Sequence, residues 1–477
     1  MENKPQELPK ELFPLLMSSM EKYHWYDSSQ THPNFIFGRL QFKKRIDPSI
    51  ARKAWILALE RQPLAGVEPR KINRRWHWVP VVDNEVEETD STTVGFNYHE
   101  CESSPEPWNF EEYPSRLAIS SHLEIRVGDA GESTGNTHQA RGGFLSMVYF
   151  AVHHSICDGA GAILVVNEWL TIYSNLEIGR SATEGLQRLE AERLKVRNYL
   201  GILRWTYLKH LLKQPVALFG ATKFIFRKTA ELGAKDRTAG GIERLYPAIV
   251  GRWVNDDALE RLSLESRQLD VTLNSIFLGR LFVTLTKYRA RGGGNHSRDW
   301  IRIILPINIR DMSDRRMPAA NRTTIVQLDR RQDDLASGDS FYQNLDREIR
   351  IIRAWQLDKI FIICIRLLST FEILLRRMVK SQKSRGTVVF TNLGEPFRKR
   401  VKSRSRQADA RMLEIDQFDL VGPVREGTPM NFAVARHGNR LRVSLHYDAR
   451  LFSVDEAQDL LGSYIDQLQS DALISGE

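Results

Sequence analysis

The sequence predicts an α/β protein with more than one domain-sized unit. Three observations carry this. The apolar run from Phe144 to Val152 ends in His153 and His154, passes through an Asp158-Gly159 turn, and continues as a helical pattern from Ala160 to about Leu176. Its β-branched and aromatic residues read as a buried strand, so the stretch is strand, turn, helix. The second half mixes helical patterns at 256–268 and 272–288 with strand candidates at 301–306 and 323–328. The length, 477 residues, is that of two or more domains.

In chain order, residues 1–30 are polar and irregular around a short helix expected near Leu12–Tyr23. A strand is expected over Phe35–Phe42. Asp47-Pro48 then opens a helix: Asp47 can accept from the free amides, and Pro48 sits where its missing N–H does no harm. Ile50, Ala54, Leu57 and Ala58 give it an apolar stripe. Further strands are expected within 73–83 and 116–128. Gly131, Gly135, Gly142 and Gly143, set among small polar residues, mark a surface loop before the central strand.

Residues 192–228 carry nine Lys/Arg and one Glu among Leu, Ile, Trp, Tyr and Phe. An apolar face beside a basic one suits the plane of an anionic bilayer. It equally suits a linker helix with a solvated basic face, or a face packed on another domain. Arg289–Trp300 is a glycine-rich loop without a phosphate-loop lysine, and it is not read as a nucleotide site. Residues 339–379 are mostly helical, and the apolar stretch from Lys359 either packs against 192–228 or seeks a surface. Thr387–Phe390 reads as a short strand, with Thr391–Gly394 as the turn beyond it. Residues 398–406, with six basic side chains, read as a solvated loop. Leu441, Val443 and Leu445 alternate with Arg442, Ser444 and His446, the pattern of a strand with one wet face. Ser453 and Glu456 form a capping-box pattern for a last helix to about Gln469.

A net charge of +9 invites a nucleic-acid partner, but no zinc finger or other compact nucleic-acid motif accompanies it. The charge equally suits an anionic membrane surface or an anionic cosubstrate. Cys101, Cys157 and Cys364 are too few and too scattered for a disulfide framework and fit a reducing compartment. The first residues lack a signal-peptide pattern, and no stretch reaches the length of an uncharged apolar span. A cytoplasmic protein is the expectation, with peripheral contact to the inner face of a membrane left as an open alternative.

The candidate chemistry lies in His153-His154-Ser155-Ile156-Cys157-Asp158-Gly159. Side chains alternate along a strand, which places His153 with Met147, Tyr149 and Ala151, and His154 with Val148, Phe150 and Val152 if the strand extends that far. One imidazole of the pair could then serve a cavity as general base. Both could instead be satisfied polar groups at a strand end, with Asp-Gly as an ordinary turn. Adjacent strand histidines point apart, and no Cys/His/Asp group has a recognised ligand spacing, so no metal is expected.

Set in this strand–turn–helix context, the heptapeptide resembles the HHxxxDG pattern of the condensation-domain-like acyltransferases, the chloramphenicol-acetyltransferase-like superfamily. That group includes peptide-synthetase condensation domains, BAHD acyltransferases, polyketide-associated acyltransferases and wax ester/diacylglycerol synthases. Weaker phrases follow in the family's order: ERQPLAG at 60–66, TLNSIF at 272–277, LPINIR at 305–310, TNLG at 391–394 and LRVSLHYDARLF at 441–452. Gln62 stands where the family usually has histidine, and Ser275 where aspartate is common.

The resemblance implies two chloramphenicol-acetyltransferase-like α/β subdomains in a V, with a tunnel between them. Residues 1–185 would form the first, 186–240 a basic amphipathic linker and 241–477 the second. It implies His154 as general base, His153 as its support, Asp158 as a structural carboxylate bound to Arg310, and Gly159 as the residue leaving room. Asn392 and the backbone near Gly159 become oxyanion candidates. No cofactor would be held permanently; an acyl-CoA or a phosphopantetheine thioester, the latter on a carrier protein, would be the donor. The acceptor would be a small or lipid-like alcohol or amine. An amide-forming free-standing condensation enzyme and a degenerate lipid- or protein-binding member are the alternatives.

Overall fold

The computed structural model describes residues 12–29, 31–80, 96–101, 121–128, 146–199, 227–233, 246–291, 299–381, 386–398 and 413–470. The first half begins with β1 (Leu15–Leu16) and α1 (Ser19–Asp27). This helix starts later than the sequence pattern suggested, because Ser18 and Glu21 form a capping box. Ser18 Oγ accepts the Glu21 N–H at 3.1 Å, and Glu21 Oε2 accepts the Ser18 N–H at 2.7 Å. There follow β2 (Phe35–Phe42), α2 (Pro48–Arg61), β3 (Val67–Ile72) and β4 (Arg75–Pro80). Asp47 caps α2 through Ile50 N–H at 2.9 Å, as its sequence implies. β5 (Phe96–Cys101), β6 (Ser121–Gly128), β7 (Ser146–His153) and α3 (Gly159–Glu177) complete this half. The loop expected at 129–143 lies outside the described residues.

The second half runs β8 (Ala248–Trp253), α4 (Ala258–Gln268), α5 (Leu273–Arg291), β9 (Ile301–Asn308) and β10 (Thr323–Arg330). Helices α6 (Gln332–Leu335), α7 (Asp339–Ala354), α8 (Asp358–Leu368) and α9 (Glu372–Lys380) come next. The chain then forms β11 (Val388–Gly394), β12 (Ile415–Val421), β13 (Met430–His437), β14 (Arg440–Tyr447) and α10 (Val454–Gln469).

A five-stranded sheet has the order β12-β2-β7-β6-β5, and a six-stranded sheet the order β10-β9-β11-β13-β14-β8. A small sheet, β1-β4-β3, flanks them. Helices α2 and α3 bury Ala54, Trp55, Val165 and Trp169 in the core of the first sheet; α5 and α10 bury Phe277, Leu281, Leu460 and Tyr464 in the core of the second. β12 arrives from late in the chain and pairs antiparallel with β2, Asp419 opposite Arg39. The 241–477 region therefore lends a strand to the first sheet.

β14 corrects a sequence expectation. Its supposed wet face is dry: Arg442, Ser444 and His446 are all buried. The reason is Asp419, which accepts from Arg442 Nε at 3.0 Å, Ser444 Oγ at 2.8 Å and Arg39 Nη2 at 2.6 Å. Charge on a strand marks solvent only where no opposite charge can be buried with it. A second correction concerns Thr391–Gly394, which is not a turn. It continues β11 in parallel pairing with β13, with an irregularity between Asn392 and Gly394.

The apolar stretch from Lys359 packs in part on α1: Ile362, Ile363, Ile365, Leu375 and Val379 form one cluster with Met20 and Tyr23. Of the 192–228 segment, residues 200–226 lie outside the described residues. Its beginning has no solvated basic face at Arg197, which is buried and donates to Glu21 Oε2 at 2.8 Å. Residues 399–406 of the second basic run also lie outside. Among the described residues no single helix is long and apolar enough to cross a membrane.

Candidate active site

β7 is buried along its whole length, and its two faces serve different neighbours. Val148, Phe150 and Val152 belong to the core beneath α2 and α3. Met147, Tyr149 and Ala151 pack with Phe35, Phe37, Val421 and Ala433, residues drawn from both large sheets. His153, the last residue of the strand, continues that second face. Its ring lies edge-on to Phe35, with centroids 4.8 Å apart.

His154 lies just past the strand and does not join the core face of Val152. Its backbone N–H donates to Asn34 O at 2.8 Å, and its carbonyl accepts from Asn321 Nδ2 at 2.7 Å. Its ring stacks on His24 of α1, with centroids 3.9 Å apart and planes 8° from parallel. The residue is half-buried, and its Nδ1 is buried without a hydrogen-bond partner.

The protonation states follow from the surroundings. His153 Nδ1 accepts the Ser155 backbone N–H at 3.1 Å, so in the neutral ring the proton sits on Nε2. Burial, with His154 adjacent, pushes His153 down to about 3. Burial also lowers His154, against the opposing pull of its own backbone carbonyl, Asp158 and Asn321. His24 is held well below its ordinary value by burial and by His154. Burial thus favours the neutral form of both stacked rings.

Asp158 caps α3 by accepting the Gly161 N–H at 2.9 Å. It also accepts from Arg310 Nη1 at 2.7 Å, Arg322 N at 2.8 Å and Thr323 Oγ1 at 2.8 Å. Burial alone would raise its carboxyl, but Arg310 and these hydrogen bonds hold it below the ordinary carboxylate value. Four protein donors meet about four lone-pair sites. Such a carboxylate fastens α3 to the β9–β10 connection and has little capacity left for a substrate. Gln62 reinforces the same junction, donating to Glu168 at 2.9 Å and accepting from Ala319 N at 2.6 Å.

A Cβ added at Gly159 would meet only Leu393, at 3.8 Å, so a methyl group fits there. Gly161 is the tighter position, with its added Cβ 2.7 Å from Cys157 Cβ. Asn392 is exposed; its Nδ2 donates to Asn274 Oδ1 at 3.2 Å and its Oδ1 accepts from Gly394 N at 3.0 Å. The amide nitrogen carries a second hydrogen beyond the one given to Asn274. Ser275, standing where aspartate was expected, bonds to Asp346 at 2.8 Å. The carboxylate is supplied from α7 instead. Among the described residues no His/Cys/Asp/Glu cluster is placed to hold a metal ion.

His24, Asn34 and Asn321 are the site residues that sequence reasoning missed. Asn34 Nδ2 donates to the His24 carbonyl at 3.2 Å and to Asp27 at 3.1 Å, tying α1 to the turn that holds His154. No spacing within the sequence announces these contacts.

These buried histidines predict acid lability. His24, His153, His154 and His446 all have folded-state values below their unfolded value near 6.5, the last down to about 4. The unfolded chain therefore takes up protons first as pH falls below 6.5. Stability drops from there toward the folded values, by up to about 1.4 kcal/mol per pH unit per histidine. Urea unfolding at pH 7.5 and at 5 should give a markedly lower midpoint at 5; equal midpoints would contradict the neutral-histidine assignment.

No protein-family model and no curated protein sequence matches the chain. Solved structures do. The first condensation domain of the calcium-dependent antibiotic synthetase, in complex with a substrate analogue, aligns at TM-score 0.61 and 12% identity, covering 97% of each chain. A trichothecene 15-O-acetyltransferase from Fusarium sporotrichioides aligns at 0.62 and 10%, covering 95% of this chain and 93% of that one. Polyketide synthase associated protein 5 from Mycobacterium tuberculosis aligns at 0.55 and 13%, covering 95% and 97%. The chain shares the overall fold of these solved structures.

Proposed function

We propose that this condensation-type fold carries an acyltransferase, moving an acyl group from a CoA or carrier-protein thioester to the hydroxyl, or amine, of an apolar acceptor. The observation that supports the reading is the His154 ring, half-buried at the end of β7, stacked on His24 and held by burial below the ordinary imidazole value. The likeness to condensation domains and to an acetyltransferase supports acyl transfer as the reaction class.

In this reading Nε2 takes the acceptor proton as the acceptor oxygen or nitrogen attacks the thioester carbonyl. A C–O or C–N bond forms and a tetrahedral oxyanion develops. Collapse breaks the C–S bond, and the imidazolium returns its proton to the leaving thiolate sulfur. No covalent acyl-enzyme is required, since holding both substrates beside one base supplies much of the rate. Asp158 and Arg310 act by fixing the turn that carries His154. His24 acts by holding the ring's orientation and by offering a π face to the imidazolium.

Incubation with a mixed acyl-CoA panel and a set of alcohols and amines, read by mass spectrometry, tests the proposal. A new ester or amide, formed with loss of its thioester, is the expected result. Bound but unconverted acyl-CoA across the panel would favour the degenerate, ligand-binding reading.

A further inference from the structure

The junction between α8 and α9 presents large apolar side chains to solvent. Leu367 is 53% exposed, Phe371 64%, Ile373 68% and Leu374 44%. All lie within eight consecutive positions, 367–374, at the bend where α8 ends and α9 begins. The inward side of α9 is already occupied: Leu375 and Val379, four apart, are buried in the cluster with α1. Ile373 and Leu374 project from the other side, so they are surplus to the core. Polar alternatives at these positions would cost the fold nothing, which makes their apolar character a feature to explain.

Cations surround this tip. Arg376, Arg377 and Lys380 are exposed on α9. The β3–β4 hairpin lies against the start of the same helix: Lys71 Nζ is 3.4 Å from Glu372 Oε2, and Trp76 Nε1 donates to Glu372 Oε1 at 3.4 Å. The turn of that hairpin holds Asn73 and Arg74 at positive φ, 48° and 63°, and Lys71, Arg74 and Arg75 are exposed around it. Glu372, the acid in their midst, is engaged by Lys71 and by Arg376 at 2.7 Å. An apolar protrusion within a collar of lysine and arginine complements a surface that is apolar beneath and anionic on top.

We propose that the α8–α9 tip and the β3–β4 turn together form a docking surface for an anionic lipid bilayer. Phe371, Ile373, Leu374 and Leu367 enter the headgroup region, and Lys71, Arg74, Arg75, Arg377 and Lys380 meet the lipid phosphates and carboxylates. The charge pattern favours this occupant over a second copy of the chain, whose corresponding surface would carry the same positive collar. The chain's net charge of +9 acts in the same direction at longer range. This surface includes none of residues 192–228 and does not depend on the acyl-transfer reading.

Vesicle co-sedimentation of the full chain tests it, with phosphatidylcholine alone and with about a third phosphatidylserine added. The protein should bind the anionic vesicles about tenfold more tightly or better, with binding weakened by salt. Phe371→Ser combined with Ile373→Ser should lower affinity by about tenfold or more, since two exposed apolar side chains lose their burial. Arg377→Gln combined with Lys380→Gln should lower it about fivefold per cation and flatten the salt dependence. All four positions are exposed, so unchanged melting is expected in each variant and is measured alongside. Absent binding to anionic vesicles, or equal binding by wild type and both variants, overturns the proposal. So does a dimer that becomes monomeric in the Phe371/Ile373 variant without vesicle binding, which would identify the face as a contact between copies.

Discussion

Asp158→Ala is expected to cost stability and activity together. The substitution removes the N-cap of α3 and leaves Arg310, Arg322 N–H and Thr323 Oγ1 without their shared acceptor. Arg310 keeps its bond to Ala320 O at 2.8 Å, but its half-buried charge loses its carboxylate partner. Removing one partner of a buried, hydrogen-bonded pair costs about 3–5 kcal/mol, and loss of a cap contributes about 1 kcal/mol. Thermal and urea unfolding should both show this. Asp158→Asn keeps the capping oxygen and should recover part of the loss. A variant that melts like wild type while losing all turnover would instead place the carboxylate in the chemistry.

His154→Ala is expected to lower acyl transfer by about 10²–10⁴-fold, the usual contribution of a positioned general base. Little stability should be lost with it. The ring is half-buried, and the backbone contacts to Asn34 and Asn321 do not involve the side chain. That separation distinguishes it from Asp158: one variant should fail in turnover with near-normal melting, the other in both. His24, stacked on the same ring, gives a graded companion. His24→Phe retains an aromatic face and should retain more activity than His24→Ala.

The parts of the site that could be read in the sequence are those that depend on local order. His153, His154, Asp158 and Gly159 sit in one strand–turn–helix, and the resemblance implied Arg310 as the partner of Asp158. The structure places the Arg310 guanidinium 2.7 Å from that carboxylate. His24 could not be found in this way, because its contact with His154 is made only when α1 packs beside the end of β7. Asn321 reaches the His154 carbonyl from 167 residues away along the chain.

The misread strand, β14, has a related cause. Alternation of Arg442, Ser444 and His446 with apolar residues is the signature of a half-exposed strand. The same alternation arises when the polar face is buried against an opposite charge. Asp419 on β12 supplies that charge, and Arg39 on β2, opposite it, was the available hint. The helix near the start is displaced from the expected range because the Ser18–Glu21 capping box sets its first turn, as the Ser453–Glu456 pair does for the last helix.

If a neutral His154 takes the acceptor proton, as proposed, the pH dependence of kcat/KM for acyl transfer carries its signature. Burial lowers the His154 value, so the base stays deprotonated below the ordinary imidazole range. The account predicts a rate that is level through neutral pH and falls on the acid side with an apparent pKa below 6.5, a limb that disappears from the residual activity of His154→Ala. An acid limb centred above 6.5, or the same limb persisting in His154→Ala, would contradict it.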